Sequence, residues 1–246
     1  YTKRPKPAES AAPAAEPAPV AGAAPTGEPA PAPEAAPAAM TKVTLTKAVP
    51  TVSLTKRGSA HGMLRVNLNW NARPAGASGG GFLKRLAPQA GIDLDLGCLY
   101  EFTDGSKGVV QALGNAFSAS PKGVMAPVIR LDGDDRSGSN NAGENLFVDL
   151  SYVNQIKRIM VFAFIYQGVA NWAAADGLVT LFPAAGPQVE VRLDETREGA
   201  RICGIAMLES LNGELSVRRE VNYLDGGQSA LDRAYGWGMN WAPGRK

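Results

Sequence analysis

From residue 41 onward, apolar residues recur mostly at every second position, the period of a strand with one buried face. In Met63-Leu-Arg-Val-Asn-Leu-Asn-Trp70 the set Leu64, Val66, Leu68 and Trp70 alternates with Arg65, Asn67 and Asn69. The stretch from Ile92 to Phe102 does the same: Ile92, Leu94, Leu96, Cys98, Tyr100 and Phe102 share one face, so Asp93 and Asp95 project together from the other. Lys157-Arg-Ile-Met-Val-Phe-Ala-Phe-Ile-Tyr166 abandons the alternation and is apolar at nearly every position from Ile159, which predicts a central strand covered on both faces. Leu178–Phe182 and Val189–Leu193 read as strands parted by Pro183 and Gly186-Pro187. Ile202–Leu211 and Glu214–Leu224 meet at Asn212-Gly213, the strongest hairpin signal in the chain, and Asp104-Gly105 predicts another hairpin into Lys107–Leu113. Val43-Thr-Leu-Thr-Lys47 recurs as Val52-Ser-Leu-Thr-Lys56, which reads as two short strands or a duplicated edge segment. A helix is predicted from about Gln228 through Tyr235, stopped by Gly236, with Tyr235, Trp237 and Trp241 packing the C-terminal segment onto a sheet. About eight to ten short strands without a βαβ rhythm predict an all-β fold, a sandwich of two mainly antiparallel sheets with one short C-terminal helix.

Composition divides the chain. Ten of its 18 prolines fall in residues 1–40, among alanines and scattered glutamates, so that segment is expected to be a disordered or polyproline-like linker, with the folded domain at 41–246. The Gly-rich Ala75–Gly81 is expected to be a mobile loop. A first residue of Tyr reads as a processed or excised piece. No stretch approaches ~18 consecutive apolar residues, and residues 1–30 lack the apolar core of a signal peptide, so the product is expected to be soluble. A net charge of +2 with no Lys/Arg block argues against nucleic acid as a partner. Cys98 and Cys203 sit in apolar runs and read as buried free thiols, which suits a reducing cytoplasm.

The densest chemistry lies between Pro127 and Leu150, where Asp132, Asp134, Asp135 and Glu144 share thirteen residues between two apolar runs. Carboxylates held close without a counter-charge repel, and each unit of pKa shift so forced is worth ~1.4 kcal/mol. A hard cation with oxygen ligands removes the problem, and Ser137, Ser139, Asn140 and Asn141 add oxygens. The same residues are also ordinary turn formers whose acids are merely solvated. The loop is not an EF-hand: with Asp132 as position 1, Ser137 falls where Gly is needed and Gly143 where Glu is needed. It would bind in another geometry, with Asp93 and Asp95 of a neighbouring strand as co-ligands.

Catalytic readings are weaker. His61 lies in a Gly-Ser-Ala-His-Gly loop with no acid near it in sequence, there is no Gly-x-Ser-x-Gly elbow, and the glycines of 76–81 lead into Phe-Leu-Lys rather than Gly-Lys-Ser/Thr. Paired acids hydrolyse glycosides on some sandwiches, but such a site expects exposed aromatic platforms, for which Trp172 is the one candidate tryptophan. The expectation is a protein that is not an enzyme.

Asp93-Leu-Asp-Leu-Gly97, Gly133-Asp-Asp-Arg-Ser-Gly138 and Gly143-Glu-Asn145 together resemble the paired acidic signatures of the bacterial TerD family of tellurium-resistance and stress proteins. Val66-Asn-Leu-Asn-Trp-Asn71, Val161-Phe-Ala-Phe-Ile-Tyr166 and Ala234-Tyr-Gly-Trp-Gly-Met239 extend the likeness toward its TerA branch, over about residues 41–246. The resemblance implies a Ca²⁺-binding β-sandwich with ligands at Asp93, Asp95, Asp134, Asp135 and Glu144. It also implies a cytoplasmic protein working with other Ter proteins in a membrane-associated complex at the inner face of the membrane, without inserting into it. Self-association stays open. Two positions depart from the family: Asp135 stands where Asn commonly follows Gly-Asp, and a Gly-Asp-Asp-Glu acidic end is reduced to Gly143-Glu144-Asn145. Against the calcium reading stands a metal-independent scaffold tethered by its N-terminal tail, its acids solvated or paired with Arg130 and Arg136.

Overall fold

The computed structural model describes residues 42–55, 61–71, 91–132, 143–168, 171–194, 196 and 199–242. The linker at 1–40, the Gly-rich Ala75–Gly81, and Asp134, Asp135 and Arg136 lie outside them. The folded unit runs from Ala39 to Lys246. Its first strands are β1 (Lys42–Thr44), β2 (Thr51–Ser53), β3 (Met63–Asn69), β4 (Asp93–Phe102), β5 (Lys107–Val110), β6 (Ser118–Ala119) and β7 (Ile129–Leu131). There follow β8 (Glu144–Asp149), β9 (Ile156–Gln167), the single helical turn α1 (Trp172–Ala175), β10 (Gly177–Phe182), β11 (Gln188–Leu193), β12 (Ile202–Leu211), β13 (Glu214–Leu224) and the helix α2 (Gln228–Tyr235).

The strands form two sheets. One has seven strands in the order β1-β11-β10-β3-β8-β7-β6, the other six in the order β2-β13-β12-β9-β4-β5. Neighbours run antiparallel except β1 and β11, which are parallel. The inward faces of both sheets share one apolar core, in which Leu64, Val66 and Leu68 of β3 meet Leu94, Leu96 and Cys98 of β4. This is the sandwich that the alternation predicts, with thirteen described strands instead of about ten. The extra ones are mostly edge pieces of two or three residues, too short to show a period.

The duplicated segment resolves into one edge strand of each sheet. β1 closes the seven-stranded sheet against β11, and β2 closes the six-stranded sheet against β13. In both copies the leucine that follows, Leu45 or Leu54, is buried in the core. The chain turns between β12 and β13 through Asn212 and Gly213 at φ 53° and 78°, the double positive φ of a type I′ hairpin.

β9 explains its own hydrophobicity. Ile159, Val161, Ala163 and Ile165 enter the main core, whereas Met160 and Phe162 enter a second cluster on the outer face with Leu99, Ile202, Met207, Leu231 and Trp237. α2 and the segment after it cover that face. Gly236 ends the helix at φ 62°, and three donors then converge on the buried carboxylate of Asp232: Gly238 N at 2.7 Å, Met239 N at 2.9 Å and Trp241 Nε1 at 2.7 Å. Trp237 donates to Tyr100 O at 3.0 Å, and the Arg158 guanidinium lies 3.8 Å over its ring while pairing with Glu101 at 2.7 Å. Among the described residues no helix is long and apolar enough to cross a membrane.

α1 is the element that pattern reading missed. One turn is too short for a 3.6-residue period, but Asn171 caps it by accepting from Ala174 N at 2.9 Å. The turn buries Trp172, whose indole donates to Ala200 O at 2.8 Å. Trp172 is therefore a core residue and offers no platform to a sugar.

Candidate functional site

Of the acids picked out in the sequence, the described ones, Asp93, Asp95, Asp132 and Glu144, lie at the end of the sandwich where β3 finishes and β4 and β8 begin. Two backbone features bring those strand ends together. Trp70 Nε1 donates to Ile92 O at 3.0 Å, tying the end of β3 to the start of β4. Gly143, at φ 65°, lets the chain enter β8 so close to β3 that a Cβ there would sit 2.1 Å from Leu68 O. Only glycine fits that approach and that φ together.

Glu144 follows and is 2% exposed. On β8 it shares the inward face with Leu146 and Val148, so its carboxylate points into the gap between the layers and accepts from Leu96 N on β4 at 2.6 Å. The need for that bond can be read from the sheet. β5 pairs with β4 only as far as Val110, opposite Cys98, and the Leu96 amide, two residues on, faces the same side beyond the end of β5. A carboxylate from the other sheet takes the place of a missing strand, as a charge-assisted hydrogen bond.

Asp93 and Asp95 flank that point but project from the opposite face of β4, the one that also carries Gly97 and Leu99. The alternation placed them on an outward face, and there they are, yet they are only 6% and 4% exposed. That face is covered rather than solvated. Asp93 stands opposite Gln167, and Asp95 opposite Phe164, which packs against the outer cluster under α2. Asp132 behaves differently. It is exposed, and both its oxygens are taken by one residue, Asn145, through its N at 3.0 Å and its Nδ2 at 2.8 Å.

Asn145 is the centre of a polar network that sequence reading did not single out. Its Oδ1 accepts from Asn67 Nδ2 at 3.0 Å and from Arg65 Nη1 at 3.1 Å, so β3, β8 and the residue after β7 are cross-linked through side chains. The available signal was Asn67 itself: asparagine is poorly suited to a strand interior, and a buried one requires partners.

Among the described residues no three His, Cys, Asp or Glu side chains form a ready-made metal cluster. The structure thus brings Asp93, Asp95 and Glu144 to one strand end but directs Glu144 to the inner side of β4 and the aspartates to the outer. The donor set, buried carboxylates with amide oxygens nearby, has the hard-oxygen character that suits Ca²⁺ and not a soft metal. His61 is exposed at the far end of β3, and Cys98 and Cys203 are free and buried, with burial pushing the Cys98 thiol up to about 12.

No family model matches the chain. It is 42% identical over 209 residues to the tellurium resistance protein TerA of an Alcaligenes species, an alignment that takes in 85% of this chain and 59% of that relative, so the chain spans less than two thirds of the relative's length. The crystal structure of SAV2460, a protein of unknown function, matches 72% of this chain and 98% of its own at a TM-score of 0.51 and 15% identity, and shares the fold. A homologue of the telluride resistance protein TerD, SCO6318 from Streptomyces coelicolor A3(2), matches 68% of this chain and 92% of its own at a TM-score of 0.45 and 19% identity. With the two-sheet fold in place and that level of identity to TerA along most of its length, the chain belongs to the TerD family of tellurium-resistance proteins, near TerA.

Proposed function

We propose that this chain is a non-enzymatic, calcium-dependent module of the tellurium-resistance system that acts by binding other Ter proteins. The observation that carries the reading is the burial of Asp93, Asp95 and Glu144 at one strand end, around a Leu96 amide that donates to the Glu144 carboxylate. Carboxylates withdrawn from water are expensive unless opposite charge meets them. In this reading Asp93, Asp95 and Glu144 would hold Ca²⁺, with Asp132 at the neck of the loop and Asp134 and Asp135 supplied from within it. The ion supplies positive charge to oxygen ligands. The chain's own part is to hold the ends of β4 and β8 together and to present that end of the sandwich to a partner in the cytoplasm, at the inner face of the membrane.

The test is isothermal titration of Ca²⁺ into chelator-stripped protein, with Mg²⁺ as control and thermal melts alongside. Saturable heat that Mg²⁺ does not reproduce, with a melting temperature raised as expected for about 2.7 kcal/mol at a hundredfold excess over Kd, supports the module. Absence of both heat and shift rejects it.

A second reading has its own observation. The described acids form no ready-made cluster, Glu144 already caps an amide, and Asp132 is held by Asn145. A metal-independent scaffold would use the acids as structural hydrogen-bond acceptors, and stripped protein would then capture the same partners as calcium-loaded protein.

A further inference from the structure

The outward face of the seven-stranded sheet carries a row of alternating phenylalanines and arginines. In the register of β10, β3, β8 and β7, Phe182 lies opposite Arg65, Arg65 opposite Phe147, and Phe147 opposite Arg130. The pleat sets the alternation, since Val66, Leu146, Leu181 and Ile129 all turn into the core and leave their neighbours outside. Each guanidinium leans the same way onto the next ring: Arg65 Cζ is 4.0 Å from the Phe182 centroid and Arg130 Cζ 4.1 Å from that of Phe147. The two charges therefore keep a separation of two strands, about 10 Å at ~4.8 Å per strand.

Other cations of this sheet have carboxylate partners. Lys42 pairs with Glu190 at 2.6 Å and Arg192 with Asp176 at 3.7 Å. Among the described residues Arg65 and Arg130 are in no ion pair; Arg65 donates one bond to Asn145, and Arg130 has only its ring. A guanidinium seated on an aromatic ring is already oriented and weakly hydrated, and its remaining N–H fork is matched to a carboxylate. The row is thus two pre-set carboxylate receptors about 10 Å apart on an aromatic floor.

We propose that this row docks an acidic, proline-rich segment of a partner protein, laid across the strands as a polyproline II helix. That helix rises ~3.1 Å per residue with three residues per turn, so acids three apart project from one side about 9.3 Å apart. A β-strand presents same-side residues at about 6.7 or 13 Å, and neither fits. Aromatic floors are the usual seat of polyproline segments. A nucleic acid is the poorer match, because with a net charge of +2 the chain offers no broad positive field around the two arginines.

The test is fluorescence polarisation of a fluorescein-labelled Glu-Pro-Pro-Glu-Pro-Pro-Glu peptide on the full chain. Saturable binding is expected, weakened tenfold or more by Arg65→Met with Arg130→Met and unchanged by Arg192→Met. A second pair, Arg65→Lys with Arg130→Lys, keeps the charge and the fold and is expected to bind at least threefold more weakly, because lysine is a point charge without the fork. A peptide of the same composition with its three glutamates adjacent is expected to bind more weakly too. Equal binding by the lysine pair, no saturable binding, or tighter binding of a thymidine oligonucleotide at the same salt would each overturn the proposal.

Discussion

Two ends of this molecule bury acids, and they do it in different ways. At the C-terminal cap, Asp232 takes all its donors from residues six to nine positions along, so the carboxylate and the groups that satisfy it fold as one local loop. At the strand end, Glu144 reaches Leu96 across 48 residues and from one sheet to the other, while Asp93 and Asp95 are buried by whatever closes over their face of β4. The electrostatics differ accordingly. Burial pushes the Asp232 carboxyl up, but the bonds from Met239, Trp241 and Gly238, with Lys107 nearby, outweigh it and hold the pKa below the ordinary value of 3.8. A buried acid closed by its own loop is a clamp. Asp93 and Asp95 on β4 and Glu144 on β8 are instead buried by contacts between distant parts of the chain, and in the calcium reading proposed above that burial is what an ion would offset.

The comparison can be broken first at Gly143. Gly143→Ala places a Cβ on Leu68 O and forces alanine to a positive φ. A loss of about 3 kcal/mol or more in urea unfolding is expected, with amide exchange at Leu96 accelerated. A loss below ~1 kcal/mol would mean that β8 can approach β3 differently. Next is Asp232→Asn, which replaces one acceptor oxygen by a donor facing other donors and is expected to lose ~1–3 kcal/mol at neutral pH. Because the folded pKa of Asp232 lies below the unfolded one, its contribution is present above the unfolded value and fades as pH falls through 3.8 toward the folded value. Wild type and variant should therefore converge in acid, and a constant gap would remove the charge from the account.

The same chemical change at the other end should have the opposite sign. Asp93→Asn with Asp95→Asn, in chelator, is expected to raise stability by ~1 kcal/mol by relieving repulsion, while abolishing any rise in melting temperature with Ca²⁺. Destabilisation in chelator would make these aspartates clamps like Asp232. The smallest effect concerns the thiols. Burial at Cys98 and Cys203 predicts no labelling of native protein by a thiol-reactive dye over minutes and two thiols labelled after unfolding.

Much of the fold was legible because its signals are local. The alternation of Met63–Trp70 announces β3, Asn212-Gly213 announces the β12–β13 turn, and Gly236 marks the end of α2. The unbroken apolar run of β9 even announces that something must cover its outer face, although not that α2 and Trp237 do so. What was not legible depends on register and on coverage. Asp93 and Asp95 fall on the polar side of an alternating strand, and period-2 reasoning cannot tell a solvated side from one that distant chain closes over. Nor can it see that Asn145 would stand beside Asp132, which follows from the pairing of β7 with β8. Glu144 was chosen for its charge and for the signature Gly143-Glu-Asn145, neither of which gives its direction. Its inward direction comes from sharing a face with Leu146 and Val148.

The paired edges β1 and β2 have a consequence in time. Among the described residues β2 pairs with β13, with Ser53 hydrogen-bonded to Glu214 across 161 residues, and β1 pairs with β11. During synthesis at ~5–20 residues per second, Leu54 waits on the order of ten to thirty seconds before the strand that covers it has left the ribosome. One edge of each sheet is therefore sealed last, by the part of the domain that is made first, and until then the nascent chain exposes the edges of two unfinished sheets to whatever can hold them apart.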